Sequence, residues 1–282
     1  MKNKQLFSEK NIKKSTIKYF IISFSVFILI LAVCSVVLFM HSLDYDISNL
    51  IDSSSTTTTV PVDENITNAY SVNELSGQSN LLFIIENIDG IDFVCTVSTD
   101  FDNKLMNILC LDGSENLSYE QKTLKLSSVY SEDSVVGVEK ALFENYGIKE
   151  GKYIILDQSE LKEMLSLFDG FSVNVQEDVD YKSHDFNLTL SEGVQELSPD
   201  MTYKYLLISE NDVRERIVCD IIKSVLVADY VDDAEKLFTS FVNLCETDIS
   251  IIDYSETIDR LYSYCYAEDK FYPEIYNKGD KS

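Results

Sequence analysis

Positive charge is scarce in this sequence. Its 282 residues contain 23 Lys and Arg against 48 Asp and Glu, which gives a formal net charge of −25 at pH 7, and only three of the basic residues are arginines. Because nucleic-acid binding needs a basic surface that displaces counterions, this balance excludes nucleic acid as a partner. A polyanionic ligand would need divalent cations to approach such an acidic protein.

Paired cysteine motifs are also absent. Cys34 lies within an apolar run, and the other five cysteines are scattered without any C-x-x-C pair, which excludes a zinc motif and a dense disulfide framework. Cys95 and Cys110 lie on apolar strand patterns, where a small buried hydrophobic residue is the expected role. We therefore predict that all the cysteines are structural and that at least one of the outer five is a free thiol.

Charge is missing altogether from residues 19–40, an apolar run that would span about 33 Å as a helix and so match the hydrocarbon core of a bilayer. Residues 1–18 before it contain six lysines and one acid, Glu9. Since lysines are held on the cytoplasmic side, the pattern predicts a basic cytoplasmic tail (1–18), one transmembrane helix (19–40) and an outer remainder in the cell membrane. A cleaved signal peptide is the alternative, because Ala32, Cys34 and Ser35 are small.

The outer remainder divides by composition. Residues 41–77 include a run of serines and threonines from Ser53 to Thr59 with little to bury, which is typical of a flexible tether. Residues 78–275 are predicted to form one domain and residues 276–282 a tail. After the basic tail the chain carries 17 Lys and Arg against 47 Asp and Glu, so the domain is strongly acidic.

Apolar patterning within this domain predicts strands alternating with helices. Continuous apolar runs at residues 81–85, 93–97 and 106–111 are typical of strands covered on both faces, and two further strands are predicted at 153–156 and 171–175. Helices are predicted at 135–146, 159–168, 213–228, 234–244 and 255–264. Gly147 is expected to end the first of these helices, and Ser159 to be the N-cap of the second. This interleaving indicates an α/β layer structure.

Several short strings, in order, resemble the LytR-CpsA-Psr family of extracellular, membrane-anchored proteins of mainly Gram-positive bacteria. Residues 80–84 (N-L-L-F-I) resemble the family's N-I-L-L-x-G-x-D strand, and residues 92–98 (D-F-V-C-T-V-S) are similar to its S-D-T-M-x-L-V-S strand. Residues 169–175 (D-G-F-S-V-N-V) match G-G-V-D-V-N-V, and residues 247–250 resemble T-D-L-S. The resemblance covers nearly the whole outer domain and implies a mixed central sheet flanked by helices.

The resemblance also implies an activity. Active members transfer a glycopolymer from a polyprenyl pyrophosphate carrier to peptidoglycan, with Mg²⁺ and arginines holding the two phosphates. Asp92 occupies the metal position, and Arg214 or Arg216 stands for the arginine of the R-Q-Q helix, with a register that is ambiguous by two residues. The plainer alternatives are that Asp92 is a turn residue and that both arginines are solvated at a helix start.

Most of the family's other arginines are missing. Where the family has P-R-D this chain has Asp112-Gly113-Ser114, and Leu207 and Ser209 replace the two arginines of Y-x-R-x-R. Loss of one charge-stabilising donor typically costs about 2.7 to 4 kcal/mol of transition-state binding, so three losses would remove most catalysis.

Two functions therefore stay open. The first is a weak or inactive enzyme of cell-envelope assembly, in which Asp92 holds Mg²⁺ and Arg214 or Arg216 contacts a phosphate. The second is a non-catalytic binding or scaffold module at the cell wall. In both cases the expected partners are the membrane, a polyprenyl (pyro)phosphate-linked glycan and peptidoglycan.

Overall fold

The structure is a computed structural model that describes residues 71–72, 75–88 and 90–277. No helix within these ranges is long and apolar enough to cross a membrane. The predicted cytoplasmic tail, the predicted membrane helix, most of the predicted tether and residues 278–282 lie outside the described residues.

Twelve strands and seven helices follow one another along the described part of the chain. The strands are β1 Gln78–Asn87, β2 Gly90–Asp100, β3 Leu105–Asp112, β4 Asn116–Tyr119, β5 Lys122–Lys125, β6 Lys152–Asp157, β7 Phe171–Val175, β8 Val179–Lys182, β9 Asn187–Leu190, β10 Gly193–Leu197, β11 Glu246–Thr247 and β12 Pro273–Ile275. The helices are α1 Leu126–Tyr146, α2 Gln158–Leu165, α3 Pro199–Ile208, α4 Asn211–Val225, α5 Ala228–Val231, α6 Ala234–Val242 and α7 Ile251–Tyr266.

Six of the strands form one mixed sheet in the order β11-β6-β1-β2-β3-β12. Strand β1 pairs antiparallel with β2 and parallel with β6, and β3 pairs antiparallel with β2 and parallel with β12. The three continuous apolar runs of the sequence lie in β1, β2 and β3 at the centre of this sheet. The prediction of an α/β fold with a mixed central sheet flanked by helices is confirmed.

Helices cover both faces of the sheet, which explains why its central strands are apolar throughout. On β1, Leu82 and Ile84 point to one face and pack in the same cluster as Val138 of α1. Phe83 and Ile85 point to the other face, where helices α2, α3 and α4 supply the opposing side chains. Successive strand side chains alternate between faces, so the two cores are separate.

The predicted helix at 135–146 is the second part of α1. Ser134 breaks the helix with φ 55° and ψ −147°, and the helix ends at Gly147, whose left-handed conformation (φ 72°) lets its N–H bond the carbonyl of Phe143. The predicted N-cap Ser159 is wrong by two residues. Asp157 is the N-cap of α2, because its carboxylate accepts from the N–H of Glu160 while the Glu160 side chain accepts from the N–H of Asp157.

A third apolar cluster fixes α7 beside one end of the sheet. Tyr264 and Cys265 of α7 pack there with Met106 of β3 and with Val72, a fully buried residue within the predicted tether. The backbone N–H of Val72 donates to the Asp269 carboxylate at 3.1 Å. This cluster places α7 over the end of the sheet where β1 begins.

Candidate functional site

An elongated apolar cavity of about 380 Å³ lies between the sheet and helices α2, α4 and α7. The sheet contributes its floor through side chains such as Phe83 and Val97, and the helices contribute walls that include Leu161 of α2 and Val218 and Ile222 of α4. These side chains carry no polar group. The cavity therefore suits an aliphatic or prenyl chain better than a sugar or a nucleotide.

The cavity has one closed end and one open end. Phe93 and Thr99 both line it, and they are six positions apart on β2, a distance of about 20 Å along the strand. Around Phe93 the lining is closed, since Phe93, Cys95 and Leu206 are each 3% exposed. Among the described lining residues, only three are exposed, and all lie towards the other end: Ser79, Thr257 and Arg260.

Asp92 lies beside the closed end, as the third residue of β2. Its side chain is partly buried and accepts a hydrogen bond of 2.9 Å from Nε2 of Gln158, the first residue of α2. Its carbonyl accepts from the N–H of Gly113 at 2.8 Å. Asp92 is thus a strand residue, and the alternative of a turn residue does not describe it.

Arg214 is buried at the same end, with 4% of its surface exposed. Its Nε donates to the carbonyl of Leu206 at 3.2 Å, its Nη2 to the carbonyl of Ser209 at 2.6 Å, and its Nη1 to Oδ1 of Asn211 at 3.1 Å. The guanidinium carbon lies 4.2 Å from the centroid of the Phe93 ring. Three of the five N–H donors of an arginine are thus used within the fold.

Two carboxylates, those of Asp112 and Asp92, interact electrostatically with the guanidinium of Arg214. Burial lowers the pKa of the guanidinium below its usual value, while the charges of Asp112 and then Asp92 act in the opposite direction. The structure therefore brings Arg214 near Asp92. The expectation that this arginine is solvated at a helix start is wrong, because its side chain is packed between α3, α4 and β2.

Arg216 is placed elsewhere. Two residues along a helix correspond to a rotation of about 200°, so the two arginines point to nearly opposite sides of α4. Arg216 is exposed, and its Nη1 donates to Oε1 of Gln176 at 3.1 Å. Of the two candidate arginines, only Arg214 lies near Asp92. Arg216 is the one that matches the alternative expectation of a solvated arginine at a helix start.

The loop Asp112-Gly113-Ser114, which the family resemblance aligns with P-R-D, is closed to a side chain at its middle position. A Cβ placed on Gly113 would lie 2.1 Å from the carbonyl oxygen of Ile91, a backbone atom that cannot move aside cheaply. The neighbouring Asp112 accepts from the N–H and the hydroxyl of Ser114 at 2.9 and 2.6 Å. An arginine at this position would require a different backbone path.

The surroundings of Arg214 are acidic. Asp112, Glu210, Asn211 and Asp212 line an open depression at the start of α4. Burial raises the pKa of the Asp112 carboxyl, but the hydrogen bonds from Ser114 and the charge of Arg214 outweigh it, so its pKa lies below the usual value. Asp112 is therefore ionised at neutral pH and adds to the negative potential that a phosphate would meet.

The donors around Asp92 do not form a magnesium site by themselves. Within the described ranges there is no group of three or more His, Cys, Asp or Glu side chains that could hold a metal ion. The Asp92 carboxylate is also engaged by the Gln158 amide. A Mg²⁺ ion at this position would have to take most of its ligands from water and from a bound phosphate.

The sequence prediction missed a disulfide in the cavity floor. Cys95 of β2 and Cys110 of β3 lie opposite each other, with Cα atoms 4.2 Å apart, and are joined by a disulfide bond. Both are buried, as predicted for small hydrophobic residues, but they are not free thiols. In the structure each cysteine lies five residues from the turn between β2 and β3, but the predicted strands, 93–97 and 106–111, did not give this register.

Arg260 is the second residue that sequence reasoning missed. It lies on α7, and its side chain reaches the open end of the cavity. Nothing in the local sequence indicates that Arg260 lines a cavity, because it is one of several charged residues on the polar face of its helix.

Comparison with known proteins gives the fold. No family model matches the chain, and no curated protein matches it. Among solved structures, Bacillus subtilis TagV is similar over 72% of this chain and 85% of its own, with a TM-score of 0.59 and 19% identity. The fold is LytR-CpsA-Psr-like.

Two further structures with this LytR-CpsA-Psr-like fold extend the likeness. A candidate transcription regulator from Eubacterium siraeum matches 79% of this chain and 89% of its own, with a TM-score of 0.62 and 14% identity. TagT of B. subtilis, solved bound to LI-WTA, matches 71% of this chain and 78% of its own, with a TM-score of 0.51 and 12% identity. At these identities the likeness concerns the fold alone.

Proposed function

We propose that this chain is a membrane-anchored, extracellular protein of cell-envelope assembly that binds the apolar chain of a polyprenyl lipid without efficient glycopolymer transfer. The observation that carries the proposal is the combination of a deep apolar cavity with an arginine, Arg214, that packs behind its closed end and has three of its five N–H donors already bonded within the fold. The family activity, transfer of a glycopolymer from polyprenyl pyrophosphate to peptidoglycan, is then weak or lost here.

The charge at the Asp92 end supports this view. Transfer from a diphosphate depends on cations that neutralise charge as it develops on the phosphates. One buried guanidinium lies there with Asp92 and Asp112 within electrostatic range, and Glu210 and Asp212 lie nearby. Since Gly113 leaves no room for a side chain, the missing arginine of P-R-D cannot be recovered by a simple substitution.

The proposed location outside the cell has its own support. The predicted membrane helix at 19–40 would leave the domain on the outer face. The Cys95–Cys110 disulfide agrees with that side of the membrane, because disulfides persist in oxidising compartments and are rare in the cytosol.

Binding is tested with the purified full-length chain and radiolabelled polyprenyl phosphate. We expect saturable binding that Ile221→Trp abolishes by filling the cavity, while Val194→Trp, on a residue that is 73% exposed, leaves binding unchanged. If Ile221→Trp fails to fold by circular dichroism, Leu161→Phe serves as the second blocking variant. Binding that neither blocking variant reduces would place the ligand outside the cavity and defeat the proposal.

A residual transferase is the second candidate, and the proximity of Asp92 and Arg214 favours it. The full-length chain is incubated with a polyprenyl-pyrophosphate-linked glycan, Mg²⁺ and peptidoglycan, beside an arginine-complete member of the family. Turnover comparable to that relative, together with loss of Mg²⁺-dependent thermal stabilisation in Asp92→Ala, would establish the enzyme. We expect neither result.

A further inference from the structure

We propose that the cavity binds a single-chain amphiphile whose one anionic head lies at Arg260, with the tail end at Phe93. This inference rests on the proposed lipid-binding function and adds the direction in which the ligand lies and the charge of its head. It places the head group at the end of the cavity opposite to Asp92.

The direction follows from where the cavity is open. Its closed end is formed by Phe93, Cys95 and Leu206, which are each 3% exposed, and Arg214 lies behind Phe93. A polar head placed there would lose its water, and it would meet the charges of Asp92 and Asp112 beside a guanidinium that has only two N–H donors left unused. At the other end, the lining residues Ser79 and Thr257 are exposed, so a head group can stay hydrated while the tail is buried.

The head charge follows from the cation at the open end. Arg260 is exposed and lines the cavity, and within the described part of the chain no residue forms a hydrogen bond or ion pair with it. Its planar guanidinium can bind two oxygens of a carboxylate or a phosphate at once. The hydroxyls of Ser79, Thr99 and Thr257 line the same end and can donate to the same oxyanion.

The acidity of the surroundings limits the head to few charges. Glu256 and Asp259 flank Arg260 on the exposed side of α7, and the chain as a whole has a net charge of −25. Two lysines among the described residues also lie near this end, but Lys104 is paired with Asp269, and Lys270 donates to the carbonyls of Leu226 and Cys265. A diphosphate would therefore carry more charge than the one unpaired guanidinium compensates. A fatty-acid carboxylate, with one negative charge, therefore fits this end best, and a phosphate monoester, with about −1.5 to −2 charges at pH 7, is the most highly charged head group that we expect it to accept.

The length of the cavity agrees with a single chain. About 20 Å of strand between Thr99 and Phe93 corresponds to a long alkyl chain or several prenyl units in an extended form. The disulfide between Cys95 and Cys110 forms part of the floor near the closed end, where the tail would end.

Two isomeric photoprobes test the direction on the full-length chain. Both are hexadecyl phosphates, one with a diazirine beside the head and one with it at the tail terminus, and labelled peptides are identified by mass spectrometry. We expect the head-side diazirine to label the peptides that contain Ser79 or Thr257, and the tail-side diazirine to label those with Phe93 or Leu206. The reverse pattern would overturn this inference and leave the lipid-binding function intact, whereas no saturable labelling would defeat both.

Arg260→Gln tests the head group. We expect about tenfold weaker binding of hexadecyl phosphate and palmitate, because a charge-assisted hydrogen-bond pair is lost, and unchanged binding of hexadecanol. Arg216→Gln is the matched control, since Arg216 is also exposed but does not line the cavity. Comparing the affinities of hexadecyl phosphate and palmitate for the wild type shows which of the two head groups, phosphate or carboxylate, the cavity binds more tightly. Equal binding by Arg260→Gln and the wild type, an equal loss in Arg216→Gln, or tighter binding of hexadecyl diphosphate than of the monophosphate would contradict the proposal.

Discussion

The guanidinium of Arg214 stacks on the ring of Phe93, with its central carbon 4.2 Å from the ring centroid. The same side chain donates to the carbonyls of Leu206 and Ser209 at the end of α3. One arginine thus joins α3 and α4 to β2 and packs behind Phe93, which lines the closed end of the cavity. We interpret it as a structural cation that occupies the position where the family resemblance implies a phosphate-binding one.

Arg214→Met therefore tests structure against ligand binding. We expect a loss of about 3 kcal/mol in the free energy of unfolding, because two buried carbonyls would lose their donors. Arg216→Met, the control, should change it by less than about 0.5 kcal/mol, as is usual for an exposed side chain. The measurement is urea unfolding followed by circular dichroism. Equal stability of the two variants would show that Arg214 does not hold the fold.

Gly113→Ala tests whether the missing arginine of P-R-D is excluded by the backbone. The new Cβ would lie 2.1 Å from the carbonyl oxygen of Ile91, so we expect a loss of about 3 kcal/mol from overpacking. Ser114→Ala removes a hydroxyl that donates to Asp112 and should cost less than about 1 kcal/mol. Thermal melts of both variants make the comparison. A stable Gly113→Ala protein would mean that the loop accepts side chains.

The Cys95–Cys110 disulfide should stabilise the domain measurably. It closes a loop with a sequence separation of 15, for which the chain-entropy model gives about 3 kcal/mol. Replacing both residues by Ala should lower the urea midpoint of unfolding. Adding a reductant to the wild type should lower the midpoint in the same way and have no effect on the double variant. An unchanged wild-type midpoint after complete reduction would contradict this assignment.

The buried thiols predict how stability depends on pH in the alkaline range. Burial raises the pKa of Cys219 and of Cys265 to about 11 from the model-compound value of 9.0. Because the folded pKa lies above the unfolded one, this contribution is fully present below about pH 9 and is lost as the pH rises to about 11. Urea midpoints at pH 8 and pH 10.5 measure the loss, and the double variant with Ala at both positions should lose less. At pH 8 the native thiols should also resist alkylation.

Thr202→Val is expected to stabilise the protein. The Thr202 side chain is fully buried in α3, and its hydroxyl has no hydrogen-bond partner within residues 71–72, 75–88 and 90–277. Replacing the hydroxyl by a methyl group of the same shape removes a buried polar group and should add about 1 kcal/mol. Thr202→Ser, which keeps the hydroxyl and removes the methyl, should destabilise instead. Chemical denaturation of both variants is the measurement. A more stable Thr202→Val protein indicates that no water bonds the buried hydroxyl, and a less stable one indicates that a water does.

Local patterns accounted for much of the fold. The apolar runs at 81–85, 93–97 and 106–111 became β1, β2 and β3, because strands covered on both faces need continuous hydrophobicity. Gly147 ends α1 as predicted, since a left-handed residue is needed there. The separate hairpin of β8 with β9 was missed, because each strand has only four residues, too few for its alternation of apolar and polar residues to stand out in the sequence.

The candidate site was predicted less completely. Asp92 was singled out through the family resemblance, and the pair Arg214 and Arg216 was found, but no local pattern could choose between two arginines at the start of one helix. Arg260 was missed because its relation to the cavity depends on how α7 docks against the sheet, more than 150 residues away from Thr99 in sequence. Only the packing of α7 against the sheet brings these two residues to the same end of the cavity.

The sequence by itself determined the scarcity of positive charge and the layered α/β order, since composition and periodicity are properties of the chain. The positions where arginines are missing came from the resemblance of its short motifs to those of a known family. Tertiary structure alone decided which arginine lies near Asp92, that two of its donors bond backbone carbonyls, and that the cavity opens beside Arg260. The physical reason is that a side chain's available hydrogen bonds and the exposure of a cavity are set by neighbours that are remote in sequence, and these neighbours are known only once the helices have packed on the sheet.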